Sequence, residues 1–433
     1  MDLIARDLAA VWHPFTQHAQ WPADEPLVID RAAGVYLYDI DGNRYLDGVS
    51  SLWVTVHGHG EPAINTAIRT QLDRLDHSTF LGLTHEPGIA LAEQLLRIAP
   101  TGLGKVFFAG DGSSAAEAAI KMAYQAASQR GQRRPLYVHC AEGYHGDTLG
   151  AVSLGGVELF HATYRPLLIE TRMVSSPGLL APGQSRPDRA SQVLAEMRAA
   201  MLRDGDRVCA LVVEPMVQAA GGILTHDASF LVGVRALCDE FGAAMIVDEV
   251  ATGVGATGKW FAVEHAGVTP DLMVVGKRLT GGTLPLSAVV VRDSVFEAFL
   301  GSPESGRTFF HGHTYTANPL SCAAALANLE LMHTRATVAR AAVVGERLGT
   351  SLAATADYDG VCEVRRIGTM TGIEVRSVGA RTGFEVCRAA RRRGVIVRPL
   401  GDVVVLMPPL AISDDELDEL SGAVDEAIRE VVQ

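Results

Sequence analysis

Six short β-branched runs between about residues 100 and 292 constrain this chain most: KVFFAG, PLYVHC, CALVVEP, AMIVDEV, DLMVVGK and SAVVVR, each separated from the next by a longer segment of helical period. Such apolar runs have to be buried on both faces, which predicts an α/β fold with a mostly parallel, doubly covered sheet. The flanks follow another pattern. Near the start, GVYLYDIDGNRYLDG sets two alternating runs around Asp41, Gly42 and Asn43, which is hairpin-turn chemistry. After about residue 330 a long helical stretch leads into VCEVRR, MTGIEVR, VIVRP and VVVLMP as short strands, and then a closing acidic helix from Ser413. The expected organisation is a large domain over residues 56–328 and a smaller α+β domain built from both chain ends, 1–55 and 329–433.

Composition removes several classes of function. With 48% hydrophobic residues in 433, disorder and collagen-like repeats are excluded. The net charge of −13 argues against a nucleic-acid partner, because phosphate binding needs a basic face. The one dense cation cluster, Arg391 to Arg393 before Gly394, reads as the end of a helix. Six scattered cysteines without a CxxC pair read as buried, reduced thiols of a cytoplasmic protein. The start, MDLIARDLAAVWHPF, carries Asp2 and Asp7 where an export signal would be basic, and no run approaches the roughly 18 apolar residues of a membrane span. No membrane partner is expected. The Gly-spaced pairs His57/His59 and His311/His313 lack a carboxylate and read as loop hydrogen-bonders, so no metal site is expected.

Ligands of open parallel sheets bind beyond the carboxyl ends of the strands, so the polar residues that close the apolar runs are the informative ones. Glu214 follows CALVV, Asp248 follows AMIV and Lys277 follows LMVVG, with separations of 34 and 29 residues, each about one βαβ unit. A lysine amine beside a carboxylate suits pyridoxal phosphate: the amine forms a Schiff base with the aldehyde, and an aspartate keeps the pyridine nitrogen protonated. After KVFFAG, the stretch Asp111, Gly112, Ser113, Ser114 opens a helical segment whose free amides and dipole face a phosphate site. Each residue alone has a plainer reading. Asp248 would be a cap, Lys277 a loop residue, Glu214 before Pro215 a strand end, and GSS an N-cap in which serine satisfies the orphan amides. The ordered combination carries the argument.

The motifs VWHPFTQ, SSLWVTVHGHG, FFAGDGSS, GYHGDT, VVEPMVQAAGG, VDEVATG, VGKRLTGG, FFHGHTYTANP and VIVRPLGD run through nearly the whole chain. With them the sequence resembles the class III pyridoxal-phosphate aminotransferases of fold type I. WHPFTQ, GYHGDT and RPLGD point within that class to the branch of biotin synthesis, which aminates 8-amino-7-oxononanoate to 7,8-diaminononanoate. The resemblance implies that Lys277 holds the cofactor and shuttles a proton, and that Asp248 pairs with the pyridinium. Gly112 and Ser113 bind the phosphate with Thr314 of a second subunit, which requires a homodimer. Glu214 joins the cofactor site, Tyr144 lies against the ring, and Asp147 orients its surroundings. Arg398 grips the substrate carboxylate, and Trp53 and Phe15 line the pocket for its aliphatic chain.

Three departures bear on substrate choice. GVGATG stands where relatives show GFGRTG, so Ala256 replaces a guanidinium and Val254 an aromatic; Leu52 replaces a second aromatic, and Phe15 lacks a tyrosine hydroxyl. The donor is S-adenosylmethionine or lysine, with HSTFLG and SSLWVTVHGH leaning towards lysine. An ω-amino acid or diamine aminotransferase, permitted by Ala256, is the alternative. WHPFTQ and GYHGDT weigh against an aminomutase, and Lys277 with Asp248 against a non-catalytic binder.

Overall fold

A computed structural model describes residues 2–433. Its largest sheet has seven strands in the order Leu103–Ala109, Ser287–Arg292, Leu272–Val275, Ala244–Asp248, Val208–Val213, Leu136–Cys140 and Thr171–Val174. Only Ser287–Arg292 runs antiparallel to its neighbours. Val208–Val213, Leu136–Cys140 and Leu272–Val275 are buried along their whole length, as strands covered on both faces must be. One cover is Gly112–Gln129, where Ala115, Ala118, Ala119, Ala123 and Ala126 let the helix lie close to the sheet. The opposite face packs against Arg186–Asp204 and Ala228–Phe241. The edge strand Thr171–Val174 was not legible as a strand, because TRMV is short, half-exposed and mixed in polarity.

The crossover from Val208–Val213 to Ala244–Asp248 passes through the helix Ala228–Phe241. The expected second βαβ unit, between Asp248 and Lys277, is not there. Residues 249–260 form a loop, followed by a single short turn, Ala262–His265. Gly255 and Gly258 hold φ at +90° and +84°, which ends any helix. The buried Glu249 carboxylate ties the loop down by accepting from Thr252 Oγ1 at 2.5 Å and Val263 N–H at 2.9 Å.

The chain ends meet on a second apolar cluster that contains Leu46, Val344, Ile373, Val404, Leu417 and Ile428. The hairpin Tyr36–Asp39/Arg44–Asp47 forms around the Asp39 carboxylate, which accepts from the amides of Asp41 and Asn43 and from the Tyr45 hydroxyl. Val395–Ile396 pairs in parallel with Leu46 and Asp47, so a C-terminal segment completes the N-terminal sheet. A four-stranded sheet of Val361–Ile367, Met370–Val375, Val403–Leu406 and Arg398–Leu400 lies beside it. The expected single long helical stretch is two helices, Pro319–Thr334 and Thr337–Ser351, separated where Ala336 takes φ +48°. Ser413 and Glu416 form a capping box at the start of Asp414–Val432. The arginine triplet closes Thr382–Arg392, with Arg392 and Arg393 paired to Glu430 and Gly394 at φ +78°.

Buried Arg365 bridges the two parts: it donates to the Gly222 carbonyl at 2.9 Å and pairs with Glu363 and Glu374. All six cysteines are free, but Cys362 is exposed, contrary to the reading of six buried thiols, because its strand lies at a sheet edge. Among the described residues no helix is long and apolar enough to cross a membrane.

Candidate active site

Glu214, Asp248 and Lys277 leave three neighbouring strands. Val247 is level with Val213, and Asp248 with Val274, so the two carboxyls and the amine reach one edge of the sheet together. There they line a cavity of about 280 Å³ with Trp53, Asp111, Gly112, Ser113, Tyr144 and His145. A second cavity of about 330 Å³, bounded by Thr280, Gly282 and Thr283, shares Asp111, Gly112 and Lys277 with it.

The Asp248 carboxylate meets His145 Nδ1 at 2.8 Å and accepts from Val250 N–H at 2.9 Å. Burial pulls the His145 imidazole down, but the hydrogen bond and charge of Asp248, with Glu214 behind, prevail and raise it. Glu214 accepts from the amides of Tyr144 (3.0 Å) and Ala219 (2.9 Å); burial pushes its carboxyl up to about 7. Burial also lowers the Lys277 amine against the pull of Asp248 and Glu214, which makes its lone pair more available at neutral pH. Its Nζ lies 5.1 Å from the centre of the Trp53 ring, a cation–π distance whenever the amine is charged.

The helix Gly112–Gln129 presents its first residues, Gly112 and Ser113, to the cavity. Its cap is Asp111 and not a serine: the Asp111 carboxylate accepts from Ser114 N–H at 2.9 Å and Ser114 Oγ at 3.0 Å. The Gly112 and Ser113 amides precede any intrahelical acceptor and stay available for an anion. A Cβ at Gly112 would come within 2.9 Å of Val250 Cγ1, so glycine keeps this wall open. Ser113 Oγ accepts from Asp147 N–H at 3.0 Å, and Tyr144 donates its hydroxyl to Asp147 at 2.9 Å, which links the helix start to the tyrosine.

Several non-glycine residues around the site hold left-handed backbone: Ser50, Ser51 and Trp53 on one segment, Met216 and Ile223 on another, then Val254 and Lys277. The first is pinned by the buried Asp47 carboxylate, which accepts from Ser51 N–H at 2.7 Å and contacts His59 Nε2 at 2.9 Å.

Phe15, Arg398, Thr314 and Ala256 do not line this cavity. Phe15 is 61% exposed and off the wall; it packs edge-on against Phe160, which packs edge-on against Tyr144. Arg398 is half-buried; burial lowers its guanidinium and the neighbouring Cys387 and Tyr144 oppose that shift. Thr314 is exposed in a turn and does not line this chain's own cavity. Ala256 does not line it either: it is fully buried with Trp53, Met370, Val405 and Met407, and its carbonyl accepts from Thr369 N–H at 3.0 Å. Leu52 is exposed. Sequence reasoning did not single out His145, although it sits between Tyr144 and Gly146 of a quoted motif; a histidine placed between two pocket residues was the available signal.

A mostly parallel sheet that presents a lysine, an aspartate and a helix N-terminus to one cavity defines a fold-type-I enzyme that works with pyridoxal phosphate. The open Gly112 wall, the helix amides and the buried amine fit that group. The Aminotransferase class-III family profile matches residues 18–428, and the chain belongs to that family. It is 48% identical to the adenosylmethionine-8-amino-7-oxononanoate aminotransferase of Nitratidesulfovibrio vulgaris, over 99% of this chain and 81% of that protein. It is 42% identical to the protein of the same name from Geobacter sulfurreducens, over 98% and 97%. The crystal structure of the adenosylmethionine-8-amino-7-oxononanoate aminotransferase of Methanocaldococcus jannaschii superposes with a TM-score of 0.94 at 37% identity, covering 100% of this chain and 99% of that one. An (S)-enantioselective omega-transaminase from Thermomicrobium roseum gives 0.95 at 32%, covering 100% and 98%. The chain is a pyridoxal-phosphate-dependent aminotransferase.

Proposed function

We propose that this enzyme transfers an amino group from S-adenosylmethionine to 8-amino-7-oxononanoate, giving 7,8-diaminononanoate for biotin synthesis. The supporting observation is the near-full-length similarity to relatives named adenosylmethionine-8-amino-7-oxononanoate aminotransferase, which of the two expected donors favours adenosylmethionine over lysine. When bound, pyridoxal phosphate supplies an electron-withdrawing ring and carries the amino group between the two substrates. Lys277 holds the cofactor and then moves a proton at the substrate carbon from its Nζ. Asp248, oriented by His145, holds the pyridine nitrogen in its protonated form. The Gly112 and Ser113 amides bind the phosphate, completed by Thr314 from a second copy. Glu214 closes the site on the Tyr144 side and keeps that residue's backbone in place. Tyr144 would lie against the cofactor ring, Asp147 fixes its hydroxyl, Arg398 would receive the substrate carboxylate, and Trp53 would flank the aliphatic chain, with Phe15 behind Phe160 and off the wall.

A homodimer is part of this proposal, supported by exposed large apolar side chains such as Trp12, Leu81, Phe310 and Tyr315. Free thiols without a disulfide support a cytoplasmic setting. The likeness to omega-transaminases favours a second reading, an amine or ω-amino acid donor. The test is to mix the coloured enzyme separately with S-adenosylmethionine, lysine, 7,8-diaminononanoate and simple ω-amines and follow its visible absorbance. Bleaching by adenosylmethionine and diaminononanoate is expected. Bleaching by simple diamines, with diaminononanoate inert, would establish the second reading instead.

A further inference from the structure

Where the large and small parts of the chain meet, a further cavity of about 520 Å³ is lined by Arg186, Thr225 and His226 of the large part and by Arg366 and Thr371 of the small one. It shares no residue with the catalytic cavity, and no carboxylate lines it. Most of its polar groups are already engaged. The Thr225 hydroxyl accepts from Arg186 Nε at 3.1 Å, and the ring nitrogens of His226 face the carbonyls of Asp227 at 3.2 Å and Glu214 at 3.1 Å. Arg186 Nη2 reaches Glu363 and Arg366 Nη2 reaches Glu346, each at 3.2 Å. Thr371 is the exception: it is fully buried, yet its hydroxyl has no partner among the described residues. A buried polar group left unpaired is unfavourable and rare. Thr371 stands opposite Arg366 across the strand pair Val361–Ile367/Met370–Val375, so the two side chains leave the same face of the sheet.

We propose that this cavity is a second binding site, for a small organic phosphate. The phosphate is received by the Thr371 hydroxyl and by Nη1 of Arg186 and of Arg366, which the contacts of those guanidinium groups within the chain leave unused. Three donors match the three terminal oxygens of a phosphate, where a carboxylate has only two to offer. The space is larger than a phosphate group, and Leu352, Ala353, Val364 and Ile367 line the rest of it with apolar surface, which suits an organic body. Arg366 is seated for the task by Gly349, within the helix Thr337–Ser351: a Cβ there would come within 2.8 Å of Arg366 Nε. Its pairing with Glu346, whose side chain is 80% exposed, contributes little, so turning this guanidinium onto a ligand costs little.

The test is calorimetric titration of the holoenzyme with phenyl phosphate, inorganic phosphate and benzoate, while the visible band shows that the cofactor stays in place. Saturable binding of phenyl phosphate is expected, about tenfold tighter than that of either smaller probe. Arg366→Gln should weaken it about tenfold, and Arg186→Gln gives the same reading if Arg366→Gln does not fold. Thr371→Val should also weaken it about tenfold while the Tm of the unliganded holoenzyme stays level or rises, because the hydroxyl removed bonds nothing there. Arg398→Met should bind phenyl phosphate as the wild type does. No saturable binding, benzoate as tight as phenyl phosphate, or unchanged affinity in Thr371→Val overturns the proposal. Affinity lost in Arg398→Met would place the ligand in the active site and overturn it equally.

Discussion

His145 Nδ1 and Asp248 Oδ2 lie 2.8 Å apart in a buried pair at the end of the strand Ala244–Asp248. His145→Phe removes the partner and should destabilise the apoprotein by about 1–3 kcal/mol. Because the folded imidazole is raised above its ordinary value, its charge-dependent contribution is complete below about pH 6.5 and fades as pH rises through the folded value. The gap in Tm between wild type and His145→Phe should therefore be wider at pH 6 than at pH 9. A gap independent of pH would assign the pair a purely steric role.

Gly112→Ala places a methyl group 2.9 Å from Val250 Cγ1 at the mouth of the helix. The added carbon has to displace either the wall or the helix start, and cofactor affinity should fall about tenfold, a cost near 1.4 kcal/mol. Val250→Ala in the same chain should recover most of it. Titration of the apoprotein with pyridoxal phosphate measures both.

Arg398→Met should raise KM for the keto substrate by about 100-fold with a smaller change in kcat, since a half-buried guanidinium that binds a carboxylate is lost. Arg398→Lys keeps the charge without the two-pronged geometry and should fall between. Equal losses with a substrate analogue lacking the carboxylate would remove Arg398 from substrate binding.

Arg365→Met cuts the bonds to Gly222 and should cost about 2 kcal/mol in urea unfolding. Gly222 ends the turn whose Ala219 amide holds Glu214, so cofactor affinity should drop with it. Unaltered affinity in a destabilised variant would limit this contact to holding the two cores together.

Much of this arrangement was legible because apolar runs that end in a single polar residue announce both a strand and its open end, as at Glu214, Asp248 and Lys277. Spacing was a poorer guide to what lies between them. The 29 residues from Asp248 to Lys277 match a crossover helix in length, yet Gly253, Gly255 and Gly258 and the buried Glu249 make a loop of them. Asp111 took the cap ascribed to serine because its carboxylate reaches two donors at once. Arg278 was given no role from the sequence. Only packing shows that it is enclosed, and the apolar residues around GKR were its sole trace in the sequence.

The left-handed residues around the cavity, Trp53, Met216, Val254 and Lys277 among them, each cost about 1–3 kcal/mol. They persist because the surrounding strands and the Asp47 and Glu249 carboxylates leave the backbone no alternative. Heat resistance and catalytic competence thus compete for the same few positions. A glycine at 254 would relax its loop, and the loop that relaxes is the one carrying the Ala251 carbonyl that anchors Arg278. Selection for a hardier variant should find its gains in the helices of the two cores and leave these bends untouched.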